Sequence, residues 1–311
     1  MHVPVVMQAP VGPAATPELV IAVSSAGGLG CLAASWTPVA VLREQIRQIR
    51  RAVDRPFCVN LVLAFEQHER LEVLAEERVP AVSFSWGVAR SAIARAQAAG
   101  ATVMVQVGDA RAGVDAVSAG AHVLIAQGAE AGGHVQGRMP RDRLIRELRR
   151  RVAVPLLAAG GIAGPSSAAA AIALGASGVA VGTAYLAAEE ADVHPDYRQR
   201  LFKAQASDTC LTELFDVGWP NAPHRVLRNS TLAAWRAAGR PPRGHRPGEN
   251  EPIATRSARA IVRYSDAQPT RDTRGDVQAM ALYAGCGVGD LRHAEPAASI
   301  TARLVESCTH S

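Results

Sequence analysis

The feature that most constrains this chain is the alternation of short apolar runs with longer helix-like stretches between residues 3 and 183. The apolar runs are rich in Val, Ile and Leu with few polar interruptions, which is typical of parallel strands covered on both faces. The stretches between them, such as 39–53 and 88–100, have the Ala, Leu and Arg content of helices. The predicted strands are residues 3–8, 29–33, 57–62, 81–86, 102–107, 122–127, 155–160 and 178–183.

Eight strands, each followed by a helix, predict an α/β fold of the (β/α)8 type, the TIM barrel. A doubly wound open sheet is the alternative, because it is built from the same alternating units. The pattern stops near residue 188, so 1–188 are predicted to form the barrel core and 189–311 a C-terminal extension over the active-site face, within one domain overall. In this extension, the Pro- and Gly-rich segment 239–252 predicts a surface loop or lid, and 296–307 predict a helix that packs on the barrel.

Composition and charge exclude several classes of protein. Hydrophobic residues make up 48% and charged residues 20% of the chain, which supplies a core and excludes global disorder. The net charge of +5 is dispersed, whereas a nucleic-acid-binding protein concentrates charge on one face, so no nucleic-acid partner is expected. The uncharged stretch between Arg151 and Glu189 is interrupted by Gly and Pro and therefore predicts buried barrel segments, not a membrane span.

The cysteines and the N-terminus bear on compartment and metal binding. The 5 cysteines are scattered and form no CxxC pair, so neither a disulfide framework nor a structural zinc site is expected. No HxH or HExxH grouping occurs, and no metal site is predicted. The first residues lack a basic segment followed by a long apolar one, so a cytoplasmic protein is expected. The sequence leaves the oligomeric state open, with a homodimer as one option.

Polar side chains and glycines recur at the carboxyl ends of most predicted strands. In a (β/α)8 barrel these ends form the active-site face. Amide side chains there can hydrogen-bond a ligand, and glycines let the backbone approach it closely. Any single position could be a turn residue, but the recurrence predicts a ligand site. The positions are Gln8, Asn60, Trp86, Gln106, Gln127, Gly160, Gly161, Gly182 and Thr183.

Two glycine-containing loops indicate phosphate binding. Gly160 and Gly161 follow the seventh predicted strand, Gly182 and Thr183 end the eighth, and a helical pattern follows each pair. Backbone N–H groups at a helix N-terminus attract phosphate, and these two loops are the common phosphate position in this fold. Ordinary helix starts would produce the same pattern. No GxGxxG or P-loop motif is present, so a Rossmann or NTPase function lacks support.

His134 is the candidate catalytic residue. It follows Gly132 and Gly133 in the segment AQGAEAGGH, directly after the sixth predicted strand. A histidine beside a glycine turn at this face can exchange protons near neutral pH, although a lone histidine more often has a structural or solvated role. Three histidines of the extension lack such a context, and no role is predicted for them: His194, His224 and His245.

At these residues the chain resembles the nitronate monooxygenases, formerly called 2-nitropropane dioxygenases. The resemblance spans nearly the whole chain, and AQGAEAGGH together with AAGGI is specific. It implies a (β/α)8 barrel that binds flavin mononucleotide (FMN) and uses O2 to oxidise alkyl nitronates, and in some cases nitroalkanes, to carbonyl compounds and nitrite. The segments that carry it are APVGPAATPELVIAVSSAGGLG, CVNLVL, AQGAEAGGH, AAGGIAGPSSAAAAIALGASGVAVGT and ALYAGCGVG.

The resemblance also implies roles for particular residues. His134 matches the family's active-site histidine, which can act as a base on the carbon beside the nitro group. The chain departs from the family pattern at Ala180, where many members have a polar residue such as glutamine, and at Cys286, where the pattern YAGQxVG has glutamine. The implied FMN contacts are Asn60, Gln127, Gly132, Gly161, Ala180, Val181, Gly182 and Thr183.

Two other functions stay open at the level of sequence. An NAD(P)H-dependent enoyl reductase with FMN in a related barrel has similar glycine-rich loops. A non-redox lyase or isomerase would use the same two loops for the phosphate of its substrate. Whether the purified protein carries flavin, and which compound reduces it, distinguishes the three functions.

Overall fold

Eight parallel strands form the centre of the protein in the computed structural model, which describes residues 5–309. Each of the eight overlaps one of the strands predicted from the apolar runs. A further strand, β7 (Gly133–His134), lies in the loop after the sixth of them and belongs to a different sheet. The eight are β1 (Val6–Gln8), β2 (Cys31–Ala33), β3 (Cys58–Val62), β4 (Ala81–Ser85), β5 (Thr102–Val107), β6 (Val123–Gln127), β8 (Leu156–Ala159) and β9 (Gly178–Val181).

The strands close into a barrel. Their order is β1-β9-β8-β6-β5-β4-β3-β2, with parallel pairing throughout. A parallel bridge between Met7 and Leu29 joins β1 to the segment before β2 and completes the circle. The predicted (β/α)8 barrel is therefore confirmed, and the alternative of an open doubly wound sheet is wrong.

A ring of helices surrounds the barrel, and α2 shows why the sequence forms them. Its residues Leu42, Ile46 and Ile49 are fully buried at helical spacing, while its arginines lie on the outer face. The helices of this part of the chain are α1 (Pro17–Ser25), α2 (Val39–Ala52), α3 (His68–Glu76), α4 (Arg90–Ala98), α5 (Ala110–Ser118), α6 (Arg141–Arg149), α7 (Pro165–Ala173) and the single turn α8 (Thr183–Leu186).

The C-terminal helix α11 (Ala297–Thr309) completes the ring of helices. It packs against both α7 and α1, in the place that the short α8 does not fill. Ile300 and Leu304 are buried there, and the Tyr185 hydroxyl lies 2.8 Å from Thr301 Oγ1. The barrel layer therefore includes a segment from the end of the chain, and a domain boundary after residue 188 stays a prediction.

The rest of the extension contributes α9 (Pro195–Lys203), α10 (Ser230–Ala237) and two small antiparallel sheets. One sheet joins β10 (Thr209–Thr212) and β11 (His224–Leu227) to β7 of the barrel loop. The extension is thereby attached to the carboxyl-end face of the barrel. The other sheet contains β12 (Pro252–Arg256), β13 (Arg259–Val262) and β14 (Arg274–Gly275).

The segment 239–252 consists of turns that lead into β12. Its Arg246 is 6% exposed and donates hydrogen bonds to Asp216 at 2.9 Å and to Glu249 at 2.8 Å. The guanidinium also lies over the ring of Tyr264, 4.2 Å from its centroid. One buried, fully paired arginine thus anchors a segment whose other residues are mostly exposed.

Small and medium-sized apolar side chains fill the lower part of the barrel and separate it from the solvent on that side. The inner apolar cluster consists of Met7, Leu29, Cys31, Cys58, Ala81, Met104, Val123, Ile125, Leu157, Ala159 and Ala180.

Among residues 5–309, none of the helices combines the length and the apolar character needed to cross a membrane.

The position of α11 in the ring predicts that its core residues stabilise the barrel. Leu304 is 1% exposed, so Leu304→Ala should lower the free energy of unfolding by about 2–5 kcal/mol through lost burial and the remaining cavity. Ser299→Ala, at an exposed position of the same helix, should change it by less than about 0.5 kcal/mol. Urea denaturation followed by circular dichroism measures both, and equal effects would contradict the packing described for α11.

Candidate active site

A layer of polar side chains lies directly above the inner apolar cluster. Asn60, Ser83, Gln106 and Gln127 each stand two residues beyond a member of that cluster on β3 to β6. Because side chains alternate along a strand, these four also face the inside of the barrel. Asn60 Nδ2 donates to Ser83 Oγ at 3.0 Å and to the Ser83 carbonyl at 3.2 Å. One half of the barrel mouth is therefore lined by amides and a hydroxyl.

The other half of the mouth is lined by small residues. Ala159 on β8 and Ala180 on β9 face inward, and Gly160, Gly161 and Gly182 follow these strands. Ala180 is 3% exposed, and its methyl group belongs to the inner apolar cluster. At this position, where the chain departs from the family pattern, an apolar methyl group therefore forms the floor of the mouth. Val181, by contrast, packs its side chain outward against the helices, so only its backbone faces the mouth.

Unpaired backbone N–H groups gather beside these small residues. Those of Gly161, Ile162, Gly182 and Thr183 make no hydrogen bond to any of residues 5–309. β8 and β9 are neighbours in the barrel, so the two loops lie side by side. Gly161 has a φ of +67°, a conformation that glycine adopts without steric cost. Convergent N–H groups of this kind form an anion-binding concavity.

The donors belong to the loop, and not to the N-terminus of α7 as the sequence suggested. The helix begins at Pro165, four residues after Gly161. In the turn before the helix, Ser167 Oγ accepts hydrogen bonds from the N–H groups of Ala163 at 3.2 Å and Gly164 at 3.3 Å, so these two donors are occupied. The expectation that the glycine pair enters the helix directly is thus wrong in its detail. The free N–H groups nevertheless occur where phosphate binding was predicted.

Glycines at 132 and 285 allow two loops to touch through their backbones. A Cβ atom at Gly132 would lie 2.6 Å from the carbonyl carbon of Ala284, and one at Gly285 would lie 2.9 Å from the Glu130 oxygen. Cys286 N donates to that same oxygen at 2.9 Å, while the Cys286 thiol lies 3.9 Å from Thr209 Oγ1. This contact gives Gly132 a packing role, and its contact with a flavin stays a prediction.

Thr183 connects the same segment to the end of β9. Its Oγ1 accepts a hydrogen bond from Gly285 N at 3.0 Å. The hydroxyl of Thr183 is therefore already engaged as an acceptor, while its backbone N–H is free. The segment 281–289, which carries part of the family resemblance, thus rests on the loops that follow β6 and β9.

Gln127 fixes the position of the loop that carries His134. Its Nε2 donates to the His134 carbonyl at 3.1 Å, and its Oε1 accepts from Gln136 N at 2.9 Å. Gln106 adds a third tie, from its Nε2 to Gln136 Oε1 at 2.7 Å. The side chain of Gln127, predicted as an FMN contact, is thus occupied on both its atoms in positioning the loop.

The ring of His134 is largely buried among aromatic side chains. It stacks on Trp219 with 4.2 Å between the ring centroids, and it lies 5.6 Å from Tyr283 and 6.3 Å from Trp86. Its Nε2 is buried and has no hydrogen-bond partner among the described residues. Burial, and secondly the proximity of His224, lower the pKa of His134 from its usual 6.5 to about 3. His134 is therefore neutral throughout the physiological range of pH.

His224, for which the sequence predicted no role, lies directly beside His134. The two residues are paired across β7 and β11, with ring centroids 5.3 Å apart. His224 is fully buried, and its Nδ1 is 2.8 Å from the Ala222 carbonyl while its Nε2 accepts from Phe215 N at 3.2 Å. These bonds define a neutral ring with its proton on Nδ1, and burial lowers its pKa. The imidazole of His224 is thus a structural neighbour of His134.

Trp219 and Tyr283 were also missed by sequence reasoning. Both belong to irregular parts of the extension. Tyr283 lies in the segment 281–289, which carries part of the family resemblance, whereas nothing in the local sequence of Trp219 connects it to His134. Only the pairing of β11 with β7 brings them to the barrel mouth. The described residues contain no cluster of three or more His, Cys, Asp or Glu that could hold a metal ion.

Several characterised families and proteins are similar to this chain in sequence. The chain matches the family described as nitronate monooxygenase over residues 1–69 and 62–307. The nitronate monooxygenase of Pseudomonas aeruginosa is 31% identical to it, across 97% of this chain and 95% of that protein. A 5-hydroxy-7a-methyl-1-oxo-octahydro-1H-indene-4-carboxyl-CoA dehydrogenase of Rhodococcus jostii is 33% identical across 75% of this chain. That second match spans 65% of the dehydrogenase, slightly less than two thirds of its length.

Solved structures show the same architecture over almost the whole chain. FabK from Thermotoga maritima superposes with a TM-score of 0.80 at 28% identity, covering 98% of this chain and 93% of that one. A nitroalkane oxidase from Streptomyces ansochromogenes superposes with a TM-score of 0.78, also at 28% identity, covering 98% and 95%. The resemblance recognised in the motifs is confirmed: the chain belongs to the nitronate monooxygenase family of flavin-dependent oxidoreductases.

Proposed function

We propose that the protein is an FMN-dependent enzyme that oxidises alkyl nitronates with O2 to carbonyl compounds and nitrite. The observation that carries the proposal is the buried, neutral His134 ring with an unpaired Nε2, held at the mouth of a barrel that also offers unpaired backbone donors. Membership of the nitronate monooxygenase family supports the reaction class.

The residues at the barrel mouth fit FMN. The N–H groups of Gly161, Gly182 and Thr183 would hold the phosphate, because they are unpaired and lie in adjacent loops. A flat ring would lie against the small side chains of Ala159 and Ala180, and Asn60 would face it with its Oδ1, because its Nδ2 already donates to Ser83. Bound FMN would supply the electron transfer from the nitronate to O2. Each of these contacts is part of the proposal.

The low pKa of His134 favours a nitronate over a neutral nitroalkane as substrate. A histidine with a pKa of about 3 is a weak base, so taking a proton from carbon would be unfavourable. A nitronate is already deprotonated and carries negative charge on its nitro oxygens. A neutral imidazole with its proton on Nε2 can donate a hydrogen bond to such an oxygen. We therefore assign His134 the role of hydrogen-bond donor to the bound anion.

The surroundings of His134 keep its ring in place. Gln127 holds the backbone of the residue, and Trp219 stacks on one face of the imidazole. Such an environment excludes water, which strengthens a hydrogen bond to an anion. No free energy is needed to orient the His134 ring during the reaction, because the ring is already held in place before the substrate binds.

Anaerobic mixing tests the reaction class. The purified protein with its flavin is mixed with propionate 3-nitronate, with ethylnitronate or with NADH, and the visible spectrum is followed. We expect the nitronates to bleach the flavin, and air to restore its colour with release of nitrite. Bleaching by NADH alone would favour the enoyl reductase, which the similarity to FabK keeps as the second candidate. A protein without flavin, and without affinity for added FMN, would favour the non-redox lyase or isomerase.

Removal of the His134 ring should slow turnover strongly while flavin is retained. Loss of one preorganised donor to a charged oxygen lowers kcat by about 10²- to 10³-fold, and we expect this for His134→Ala with ethylnitronate. His245→Ala is the matched control. His245 is an exposed residue of the segment 239–252, so this variant should keep full activity. Flavin absorbance verifies that both variants are loaded. Undiminished kcat in His134→Ala would refute the role of this residue.

The lowered pKa of His134 also predicts a loss of stability in acid. The unfolded chain takes up this proton near pH 6.5, whereas the folded protein takes it up only near pH 3, so stability falls as the pH decreases between these values. At pH 4.5 the loss amounts to about 2–3 kcal/mol relative to pH 7.5. Urea denaturation at both pH values should show a smaller acid loss in His134→Asn than in the wild type. His245→Asn should match the wild type, and identical losses in all three proteins would contradict the buried environment.

The unpaired N–H groups predict that the protein binds a flavin with a phosphate group more tightly than one without. Three charge-assisted hydrogen bonds of about 1.5 kcal/mol each would make FMN bind about 10³-fold more tightly than riboflavin. Fluorescence titration of the flavin-free protein with each compound measures the ratio. Equal affinity for the two would exclude the two glycine loops as the phosphate site.

A further inference from the structure

Four aromatic side chains form a continuous wall at the barrel mouth, which we call the aromatic wall: Trp36, Phe65, Trp86 and Trp219. Trp219 is its centre, with ring centroids 4.8 Å from Trp86, 5.1 Å from Phe65 and 5.9 Å from Trp36. Trp36 and Phe65 also contact each other at 5.4 Å. The wall contains 3 of the 4 tryptophans of a chain in which aromatic residues are only 4%. Trp219 packs there with Val62 and Ala222 in a small apolar cluster that is separate from the main core around the barrel.

The wall leads from the buried histidine to the solvent. Trp219 stacks on His134 and is 7% exposed. Phe65 and Trp86 are half-buried, and Trp36 is 56% exposed. The wall is therefore continuous with the site of the proposed reaction at one end and open to solvent at the other.

Trp86 is held in the wall by an unfavourable backbone conformation. Its φ is +59°, in the left-handed region that bulky residues rarely adopt, and Gly87 follows with a φ of +154°. A turn of this kind at the end of β4 directs the indole toward Trp219 instead of continuing the strand. Strain at a large side chain persists where the surroundings impose it, and it concentrates at ligand sites. The backbone thus supports a binding role for the wall independently of the ring contacts.

We propose that the aromatic wall binds the substituent of the substrate and selects nitronates that carry a large, flat, uncharged group, such as an aryl ring. This inference rests on the proposed function, because it places the nitronate group of the same molecule at His134. Indole and phenyl faces attract other aromatic rings through burial and edge-to-face contacts. None of the four side chains carries a positive charge, so a substrate with a charged tail would lose hydration there without gaining a counter-charge.

Kinetics with three nitronates tests the selection. The ratio of kcat/KM for the nitronate of phenylnitromethane to that of nitroethane should be at least about tenfold in the wild type, and propionate 3-nitronate should be the poorest of the three. Trp36→Ala should reduce the ratio by about two- to tenfold, the effect of one aromatic contact. Trp36→Phe should retain most of it.

Trp235→Ala is the matched control for loss of a tryptophan. Trp235 lies on α10, packs against a different apolar cluster and donates its Nε1 proton to the Pro241 carbonyl at 2.9 Å. Its removal should leave the substrate ratio as in the wild type. A wild-type preference for propionate 3-nitronate, or a ratio that responds equally to both tryptophan variants, would overturn the inference and leave the proposed function intact.

Binding of an inert ligand separates this inference from the reaction itself. Nitrobenzene cannot form a nitronate, and 2-methyl-2-nitropropane is an equally unreactive aliphatic compound. Calorimetric titration of the flavin-loaded protein should show saturable binding of nitrobenzene that is tighter than that of the aliphatic compound and is weakened by Trp36→Ala. If no nitronate is oxidised, the proposed function fails, while this binding pattern would still support an aryl site. Absence of saturable nitrobenzene binding would refute the wall as that site.

Discussion

The short pairing of β7 with β11 is the interaction on which the rest of the site depends. It joins a two-residue strand in a barrel loop to the C-terminal extension and sets His134 opposite His224. Gln127 holds the same loop from below, at the end of β6. These two attachments hold the imidazole of His134 in place, where it contacts the rings of Trp219 and Tyr283. Without the extension, His134 would be a loop histidine exposed to water.

Burial of this histidine decides what chemistry it can perform. In water an imidazole exchanges protons near neutral pH, and the sequence therefore suggested a base. The aromatic surroundings lower the pKa of His134 to about 3, so the ring stays neutral and keeps a hydrogen to donate. Across the mouth, unpaired N–H groups at Gly161 and Gly182 offer a second place for negative charge. Under the proposed function, neutral donors in the two halves of the site would hold an anionic substrate beside an anionic cofactor.

Glycines of this site have two different physical functions, which sequence patterns do not separate. Gly161 has a left-handed backbone that leaves its N–H free at the barrel mouth. At Gly132 and Gly285 a side chain would not fit, because two backbones touch there. Both kinds occur in motifs that carry the family resemblance, and the motifs alone imply a ligand contact at Gly132 as well as at Gly161. Tertiary contacts distinguish them, since the neighbour of Gly132 lies far away in the chain.

Local patterns in the sequence were sufficient for the barrel and for most of the polar layer at its mouth, although Ser83, inside its predicted strand, was missed. Apolar runs of strand length specify buried parallel strands, and the period of two along each strand places Asn60, Gln106 and Gln127 on the inner face. The motifs likewise indicated the family and His134. The tertiary structure alone decided which residues surround that histidine. Trp219 and His224 reach it through one long-range strand pairing with no local signal, and Tyr283, although it lies in a family motif, contacts it only in the folded chain. It also decided that α11 closes the ring of helices, since packing against α1 and α7 depends on the space that the short α8 leaves.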